Sequence, residues 1–472
     1  MEIIHVSAEC YPMAKAGGLG DVVGALPKYQ CKLGHFSKVV MPMYRTRFLY
    51  QNEWVTDFKG RAQMGNWWFD YTVIREKHDK LGFPLYVVDI NGLLDRDRIY
   101  GYADDTERFT AFQIAVVDWI NHWQHKPDVI HCHDYHAGLI PFILKNSYYY
   151  NRLADIPTVM TIHNAQYQGW MGWDKGNLLP VWDITKGGLL EWGGVINPLA
   201  AGIKNAWKVT TVSWSYLEEL RYNSNGLEAL FEYEKGKCVG VLNGIDNEVW
   251  DPMNDPFIEV QYDIDDVEEG KRDNKTRICR EFGLDPQYPL IAFIGRLVGE
   301  KAADILPDAI VSSLYGLEGK VNFLVLGSGE PHIEWQLSQM KPHFPGNYNV
   351  EIGYNEALSH QLYAGADFLL MPSRVEPCGL NQMYSMRYGT VPMVRSTGGL
   401  KDTVTDMGDE GGWGIRFNNA TVGDVVYSVN RALELFGNTE RLNNMRRHMM
   451  QIDHSWEHSV QQYIDIYQRL KY

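Results

Sequence analysis

Cysteine is sparse and unpatterned in this 472-residue sequence: Cys10, Cys31, Cys132, Cys238, Cys279 and Cys378 form no CxxC pair and no zinc-ligand spacing. That excludes a disulfide framework or a zinc staple and fits a reducing compartment. No stretch approaches the roughly 18 apolar residues that a membrane-spanning helix requires. Residues 1–9, MEIIHVSAE, lack the charged and apolar regions of a secretory signal. A cytoplasmic protein is therefore expected. Positive charge is in short supply too, with 44 Lys+Arg against 59 Asp+Glu and a net charge of −15. Such a surface repels phosphate backbones, so neither nucleic acid nor an anionic membrane is an expected partner. A cleft that is basic inside an acidic shell still admits a small anionic substrate. What is present, 45% hydrophobic and 13% aromatic residues, is ordinary for a folded chain and excludes disorder. At roughly 100–200 residues per domain the length predicts two to four domains, or two large α/β ones.

Short, continuous apolar runs recur, each followed by a turn and a helical pattern. In the first half they are Ile3–Ala8, Lys38–Pro42, Leu85–Asp89, Asp128–Asp134, Thr158–His163 and Lys208–Ser213. Helical stretches at Leu19–Leu33, Arg108–Trp123, His136–Tyr150 and Leu189–Ala206 lie between several of them. Runs that do not alternate suggest strands buried on both faces, as in a parallel sheet. The rhythm restarts after residues 251–275, a polar stretch that reads as a surface connection. New strands are predicted at Leu290–Ile294, Asn322–Leu326, Val350–Gly353, Asp367–Met371 and Val391–Val394, with helices at Asp304–Leu317 and Ala357–Ala364. The expected architecture is two Rossmann-like, doubly wound domains facing a cleft. The domains are expected at 1–245 and 246–455, with a C-terminal helix over 456–472 packing back on the first.

Ligands of open α/β sheets bind beyond the carboxyl ends of the strands, and the chemically suggestive residues fall there. Lys15-Ala16-Gly17-Gly18-Leu19-Gly20-Asp21 joins the first strand to its helix. Gly17 and Gly18 allow positive φ and close approach of a ligand, and Lys15 beside a helix N-terminus makes an anion site. A plain glycine turn with a solvated lysine fits equally well, and the cluster is neither GxGxxG nor Walker A. In Gly295-Arg296-Leu297-Val298-Gly299-Glu300-Lys301, Arg296 and Lys301 suit a pyrophosphate clamp. They also read as surface cations, one of them paired with Glu300. Pro372–Gln382 follows a buried strand and opens a helix with Pro377 near its first turn. There Glu376 either serves sugar hydroxyls and developing positive charge or merely complements the helix dipole. Arg395–Leu400 is a further strand–glycine–helix junction suited to phosphate oxygens.

His131-Cys132-His133-Asp134-Tyr135-His136 resembles a metal box, but no second ligand cluster accompanies it, so hydrogen bonding or packing is favoured over metal. Thr161-Ile162-His163-Asn164 adds an imidazole and an amide. The two DxD patterns, Asp95-Arg96-Asp97 and Asp263-Ile264-Asp265, lie in charged, loop-like stretches and read as solvated turns. Without a metal, a leaving pyrophosphate needs protein cations, for which Lys15, Arg296 and Lys301 are the candidates. Aromatic residues are abundant, at 15 Trp and 28 Tyr. Many fall where loops are predicted (Trp67, Trp68, Tyr167, Trp170, Trp173, Trp192), as a glucan-stacking surface or as ordinary packing.

SAECYPMAKAGGLGDVVGALP, HCHDYHAG, TIHNAQYQG, VLNGID, GRLVGEK, IGYNEALSH and PSRVEPCGLNQMYSMRYGTVPMVRSTGGLKDTV occur in this order. The set resembles bacterial glycogen synthases and plant starch synthases along the whole chain. The resemblance implies a two-domain (GT-B type) glycosyltransferase with its active site between the domains. The implied reaction moves glucose, with retention, from a nucleotide-glucose, usually ADP-glucose in bacteria, to the non-reducing 4-hydroxyl of an α-1,4-glucan. It implies no cofactor and no metal. UDP-glucose, a small acceptor or a non-catalytic glucan-binding protein are the alternatives, and oligomeric state is left open. Carried over residue by residue, Lys15, Gly17, Gly18 and Asp21 would meet the donor, and Asp134, His163 and Asn164 would line the glucosyl site. Arg296 and Lys301 would neutralise the diphosphate, and Tyr354 would stack on the base. Glu376 would sit at the transferred glucose, with Cys378, Gly379 and Leu380 holding it through their backbone. Thr397, Gly398 and Gly399 would bind the distal phosphate. The chain departs from the family pattern at Ala16 (usually Thr), Ala302 (usually Gly) and Trp214 (usually Pro). Tyr384 stands where more distant transferases have a second glutamate.

Overall fold

The central parallel strands Val129–His133, Thr158–Ile162 and Asn322–Gly327 are buried from end to end, as strands covered by helices on both faces are, with no face left to carry polar alternation. The computed structural model describes residues 1–470, so the last two residues of the expected 456–472 helix lie outside the described residues. The chain divides into two compact units: residues 1–244 together with the segment from Trp456 onward, and Ile245–Ser455.

In the first unit the strands are β1 (Glu2–Val6), β2 (Phe36–Pro42), β3 (Trp54–Met64), β4 (Trp67–Glu76), β5 (Leu85–Asp89), β6 (Val129–His133) and β7 (Thr158–Ile162). A short hairpin of β8 (Glu191–Trp192) and β9 (Val195–Ile196) precedes β10 (Lys208–Thr211) and β11 (Cys238–Gly240). The main sheet runs β11-β10-β7-β6-β1-β2-β5-β4-β3, parallel except for β4 and β3. The chain steps outward from β1 through β2 to one side and later fills the other side from β6. The strand order therefore reverses between β1 and β6, in register Ile3↔Val129 to Val6↔Cys132.

The last helix, Trp456–Arg469, buries Trp456, Val460, Tyr463, Ile464 and Tyr467, a spacing that paints one helical stripe. That stripe packs on Val22, Ala25, Leu26 and Tyr29 of the helix Gly18–Lys32. Each such side chain contributes about 1.5–3 kcal/mol.

In the second unit β12 (Leu290–Ile294), β13 (Asn322–Gly327), β14 (Tyr348–Ile352), β15 (Phe368–Met371), β16 (Val391–Arg395) and β17 (Ile415–Phe417) form one parallel sheet. Its order is β14-β13-β12-β15-β16-β17, reversing between β12 and β15. Both sheets are doubly wound, as expected.

Several local expectations change. Trp67 and Trp68 do not lie in a loop but begin β4, whose hairpin with β3 has one exposed face. Exposure, read from the sequence as a loop, here belongs to the solvent side of an edge hairpin. Residues 251–275 are not all connection, because the helix Val267–Phe282 starts within them. Its fully buried Lys271 donates to the carbonyls of Tyr363, Ala364 and Tyr388 and to Thr390 Oγ1. Those bonds let a charged-looking segment enter the interior. The helices expected at His136–Tyr150 and Leu189–Ala206 shorten to Ile140–Asn146 and Pro198–Asn205, the latter capped by Asn197 and led by Pro198. Pro377 lies outside the helix, which starts at Asn381.

Candidate active site

Both strand-order reversals receive the clusters singled out in the sequence. In the first unit the loop after β1 carries Lys15–Gly17 into the helix that starts at Gly18, and Asp134 follows β6 with His163 and Asn164 following β7 beside it. A side chain that sequence reasoning missed organises this loop. Glu9 is buried, its Oε2 accepts from Ala16 N (2.6 Å) and Gly17 N (3.1 Å), and its Oε1 accepts from Tyr100 Oη (2.6 Å). Burial pushes the Glu9 carboxyl up, and the Tyr100, Ala16 and Gly17 donors pull it partly back. A glutamate just past a strand was its only signal. Ala16 contributes its amide here, which a threonine would supply equally.

Lys15 Nζ lies 2.7 Å from Asp21 Oδ1, so Asp21 aims the cation in this structure. The positive φ expected at the glycine pair is absent. Gly17 is extended (φ −157°), and Gly18 starts the helix. The pair serves through empty space instead: a Cβ on either residue would meet no atom within 4 Å.

Asp134 does hold a left-handed φ of 55°, with ψ −175°, a conformation costly for any residue with a Cβ. It is pinned there by its amide to Thr161 O (3.0 Å) and by Oδ1, which accepts from His163 N (2.7 Å). Burial pushes the Asp134 carboxyl up to about 7, against the pull of the His163 and Asn164 amides. The folded protein thus holds this proton more tightly than a free aspartate at 3.8. Stability from this group is complete below the lower value and is lost as pH rises through the upper one. Asp134→Asn is therefore expected to raise the thermal midpoint at about pH 8 and to match the parent below about pH 4. Equal destabilisation at both pH values would refute the assignment.

His131 and His133 share a face as expected, and with His5 their ring nitrogens come within 4.8 Å of one another. Every one of those six nitrogens is already hydrogen-bonded: to Gln30, to Tyr467, to Thr161, to His163, or between His5 and His133. The donor set is thus spent on packing and orientation, and the metal reading of this segment is set aside.

In the second unit the loops after β12 and β15 are stitched together. Arg374 N and Val375 N both donate to Glu300 O, at 2.8 and 3.2 Å. Lys301 Nζ lies 2.6 Å from Glu376 Oε2, which also accepts from Ser373 Oγ (2.8 Å). Arg395 Nη1 donates to the carbonyls of Ser373 and Arg374, a bracing contact that its position at a strand end did not reveal. Arg296 is half exposed and lies 3.1 Å from Glu300, the pairing the sequence allowed. Tyr354 is 73% exposed, with its hydroxyl donating to Glu356 Oε2 at 3.3 Å.

Gly398 (φ 44°) and Gly399 press against the Glu376 loop. A Cβ on Gly398 would stand 2.0 Å from Glu376 O, and one on Gly399 2.0 Å from Cys378 O. Gly399 N donates to the carbonyls of Glu376 and Pro377. Thr397 precedes their helix, Gly398–Thr403, and Gly379 and Leu380 lead into the helix Asn381–Arg387.

Ala302 takes the left-handed φ of 53° that its usual glycine favours, so the turn is kept at some strain. Trp214 occupies the first helical position after the Ser213 cap, where a free N–H costs nothing and proline is optional. Tyr384 stacks on Trp250 at 3.9 Å, a packing role no carboxylate could fill. Asp95, Asp97, Asp263 and Asp265 sit in loops as expected, Asp95 pairing with Arg45 and Asp265 N donating to Asp263.

Family comparisons cover both units. Residues 2–233 match the family described as starch synthase catalytic domain, and residues 288–434 match glycosyl transferases group 1. The protein is a glycosyltransferase of the two-Rossmann-unit class. Within that class, the chain belongs to the glycogen synthase and starch synthase family. It is 53% identical over 467 residues to the glycogen synthase of Flavobacterium johnsoniae, spanning 99% of this chain and 98% of that protein. It is 36% identical to that of Geobacillus stearothermophilus, over 100% and 98%. The solved catalytic domain of starch synthase IV from Arabidopsis thaliana, bound to ADP and acarbose, superimposes with a TM-score of 0.91 at 30% identity, covering 99% of both chains. A sucrose-phosphate synthase from Thermosynechococcus elongatus, at 15% identity and TM-score 0.65, shares the fold. Among the described residues no helix is long and apolar enough to cross a membrane.

Proposed function

We propose that this protein extends α-1,4-glucan in cytoplasmic glycogen synthesis, moving glucose from ADP-glucose to the non-reducing 4-hydroxyl with retention. The observation that carries the reading is full-length similarity to glycogen synthases combined with the close match to a starch synthase that was solved with ADP. In this reading Arg296, Lys301 and Lys15 neutralise the departing diphosphate, and Tyr354 stacks on the adenine. Glu376, steadied by Ser373 and Lys301, faces the transferred glucose. Cys378, Gly379 and Leu380 hold that sugar through the backbone, Thr397, Gly398 and Gly399 take the distal phosphate, and Asp134, His163 and Asn164 line the glucosyl site.

No enzyme nucleophile is needed. The leaving phosphate oxygen takes the acceptor's proton on the face where the bond breaks, and placement plus fixed charge supply the catalysis. Exposed Trp67, Trp68, Tyr167, Trp170 and Trp173 in the first unit support glucan binding, because pyranose faces stack on rings. Trp192 is half-buried, with Nε1 on Gly226 O, and fits packing better.

Purified protein with glycogen is expected to release ADP from ADP-glucose, to do so faster than it releases UDP from UDP-glucose, and to keep its rate with a chelator present. Absence of release from any nucleotide-glucose would overturn the enzyme reading in favour of a glucan-binding protein. A rate that chelation abolishes and a divalent ion restores would overturn the cation assignment.

A further inference from the structure

Behind His163 a file of buried polar side chains crosses the first unit. His163 Nε2 meets His133 Nδ1 at 3.0 Å, His133 Nε2 meets His5 Nδ1 at 2.9 Å, and His5 Nε2 meets Gln30 Oε1 at 2.8 Å. Gln30 Oε1 also accepts from Ser37 Oγ (2.7 Å), while its Nε2 donates to Tyr467 Oη (3.2 Å) on the last helix. Each ring and the Gln30 side chain is buried. Nothing in the reaction described above uses His133, His5, Gln30 or Tyr467.

We propose that this file fixes the tautomer of His163, placing its proton on Nε2 and leaving Nδ1 as a hydrogen-bond acceptor for a hydroxyl of the donor sugar. His133, His5 and Gln30 are then positioning residues. The inference rests on the reading that His163 lines the glucosyl site.

The direction follows from counting protons. Burial drives the imidazoles toward the neutral form, His5 to about 4 and His163 to about 3, with His133 well below its ordinary value. A neutral ring has one N–H and one lone pair. Three such rings in single file have only two arrangements, all donors toward Gln30 or all toward His163. The amide at the end selects between them: Oε1 can only accept, so His5 donates from Nε2, His133 donates to His5, and His163 donates to His133. A branch agrees with this order. Tyr467 Oη, receiving Gln30 Nε2, donates to His131 Nδ1 (2.6 Å), whose Nε2 then donates to Thr161 Oγ1, which is also hydrogen-bonded to Thr210 Oγ1. Gln30 turned over would reverse every donor at once, so one side chain on the first helix governs a ring two histidines away.

The test uses the full-length protein. Nitrogen-15 spectra of histidine-labelled wild type, with the His163 signal assigned by its loss in His163→Asn, distinguish a protonated from a bare ring nitrogen. A bare Nδ1 and a protonated Nε2 are expected, and the opposite pattern overturns the proposal. Two variants add a kinetic readout. Gln30→Glu keeps an acceptor facing His5, whereas Gln30→Leu removes it. A buried carboxylate is costlier than a buried leucine, so a merely structural role makes the glutamate variant the worse in both stability and activity. The file instead requires Gln30→Glu to keep kcat/KM for ADP-glucose near wild type while Gln30→Leu loses roughly tenfold. Glutamate falling below leucine in kcat/KM overturns it. His163→Ala separates the two readings: unchanged turnover there would sink the placement of His163 at the sugar, whatever the spectra show.

Discussion

Alanine at Glu376, Arg296 or Lys15 is expected to lower kcat by about a hundredfold or more, with the fold intact by circular dichroism. Loss of one well-placed charge-stabilising group in a water-poor site removes roughly 3 kcal/mol from the transition state. Arg296 and Lys15 act on the diphosphate, and Glu376 acts at the transferred glucose. Arg296, half exposed and 3.1 Å from Glu300, would exchange that carboxylate for phosphate oxygens. Lys15 would exchange Asp21 in the same way. Glu376 is buried against Lys301 and Ser373, so its removal also releases the Lys301 ammonium, and Glu376→Gln should keep the Ser373 bond without restoring rate. ADP release under saturating donor is the measurement. Near-normal turnover in all three alanine variants would remove the site from these residues.

The second large effect separates two pairs of glycines that look alike in sequence. Gly399→Ala places a methyl 2.0 Å from the Cys378 carbonyl, and neither backbone can give way without moving the Glu376 loop. A destabilisation of at least about 2 kcal/mol is expected, with a fall in kcat comparable to loss of Glu376 itself. Gly18→Ala meets nothing within 4 Å at the start of a helix, so thermal stability should hold or rise slightly. Its cost should appear as a raised KM for ADP-glucose, since the added methyl fills room left for the donor. Denaturation midpoints and KM for both variants decide the matter, and a Gly18→Ala enzyme with unaltered KM would contradict the assignment of that space.

Much of the architecture was legible because the buried parallel strands announce themselves as unbroken apolar runs. The run predicted at Leu290–Ile294 matches β12 residue for residue, and the neighbouring predictions differ mainly at their ends. The hairpin of β3 and β4 escaped notice because much of β3 is exposed and polar, and because Trp67 and Trp68, at the first two positions of β4, are both exposed and so break the alternation that marks a half-buried strand. At the site, Lys15, Arg296, Lys301 and Glu376 stood out as charged groups immediately after strands. Glu9 did not, and the bracing of the Glu376 loop by Arg395 was not legible, since each acts through a partner in another segment.

What the sequence determined alone was local: which runs are buried strands, where glycines and charges interrupt them, and which family the ordered motifs resemble. Periodicity and spacing are short-range properties, and they suffice for these. Only the tertiary structure decided which glycines are required by contact and which by emptiness. It alone revealed that Glu9 holds the first loop and that Tyr467, more than four hundred residues from Gln30, meets it inside the first unit. Such pairings depend on strand order and helix docking, which sum weak preferences over the whole chain and leave no mark in any one segment.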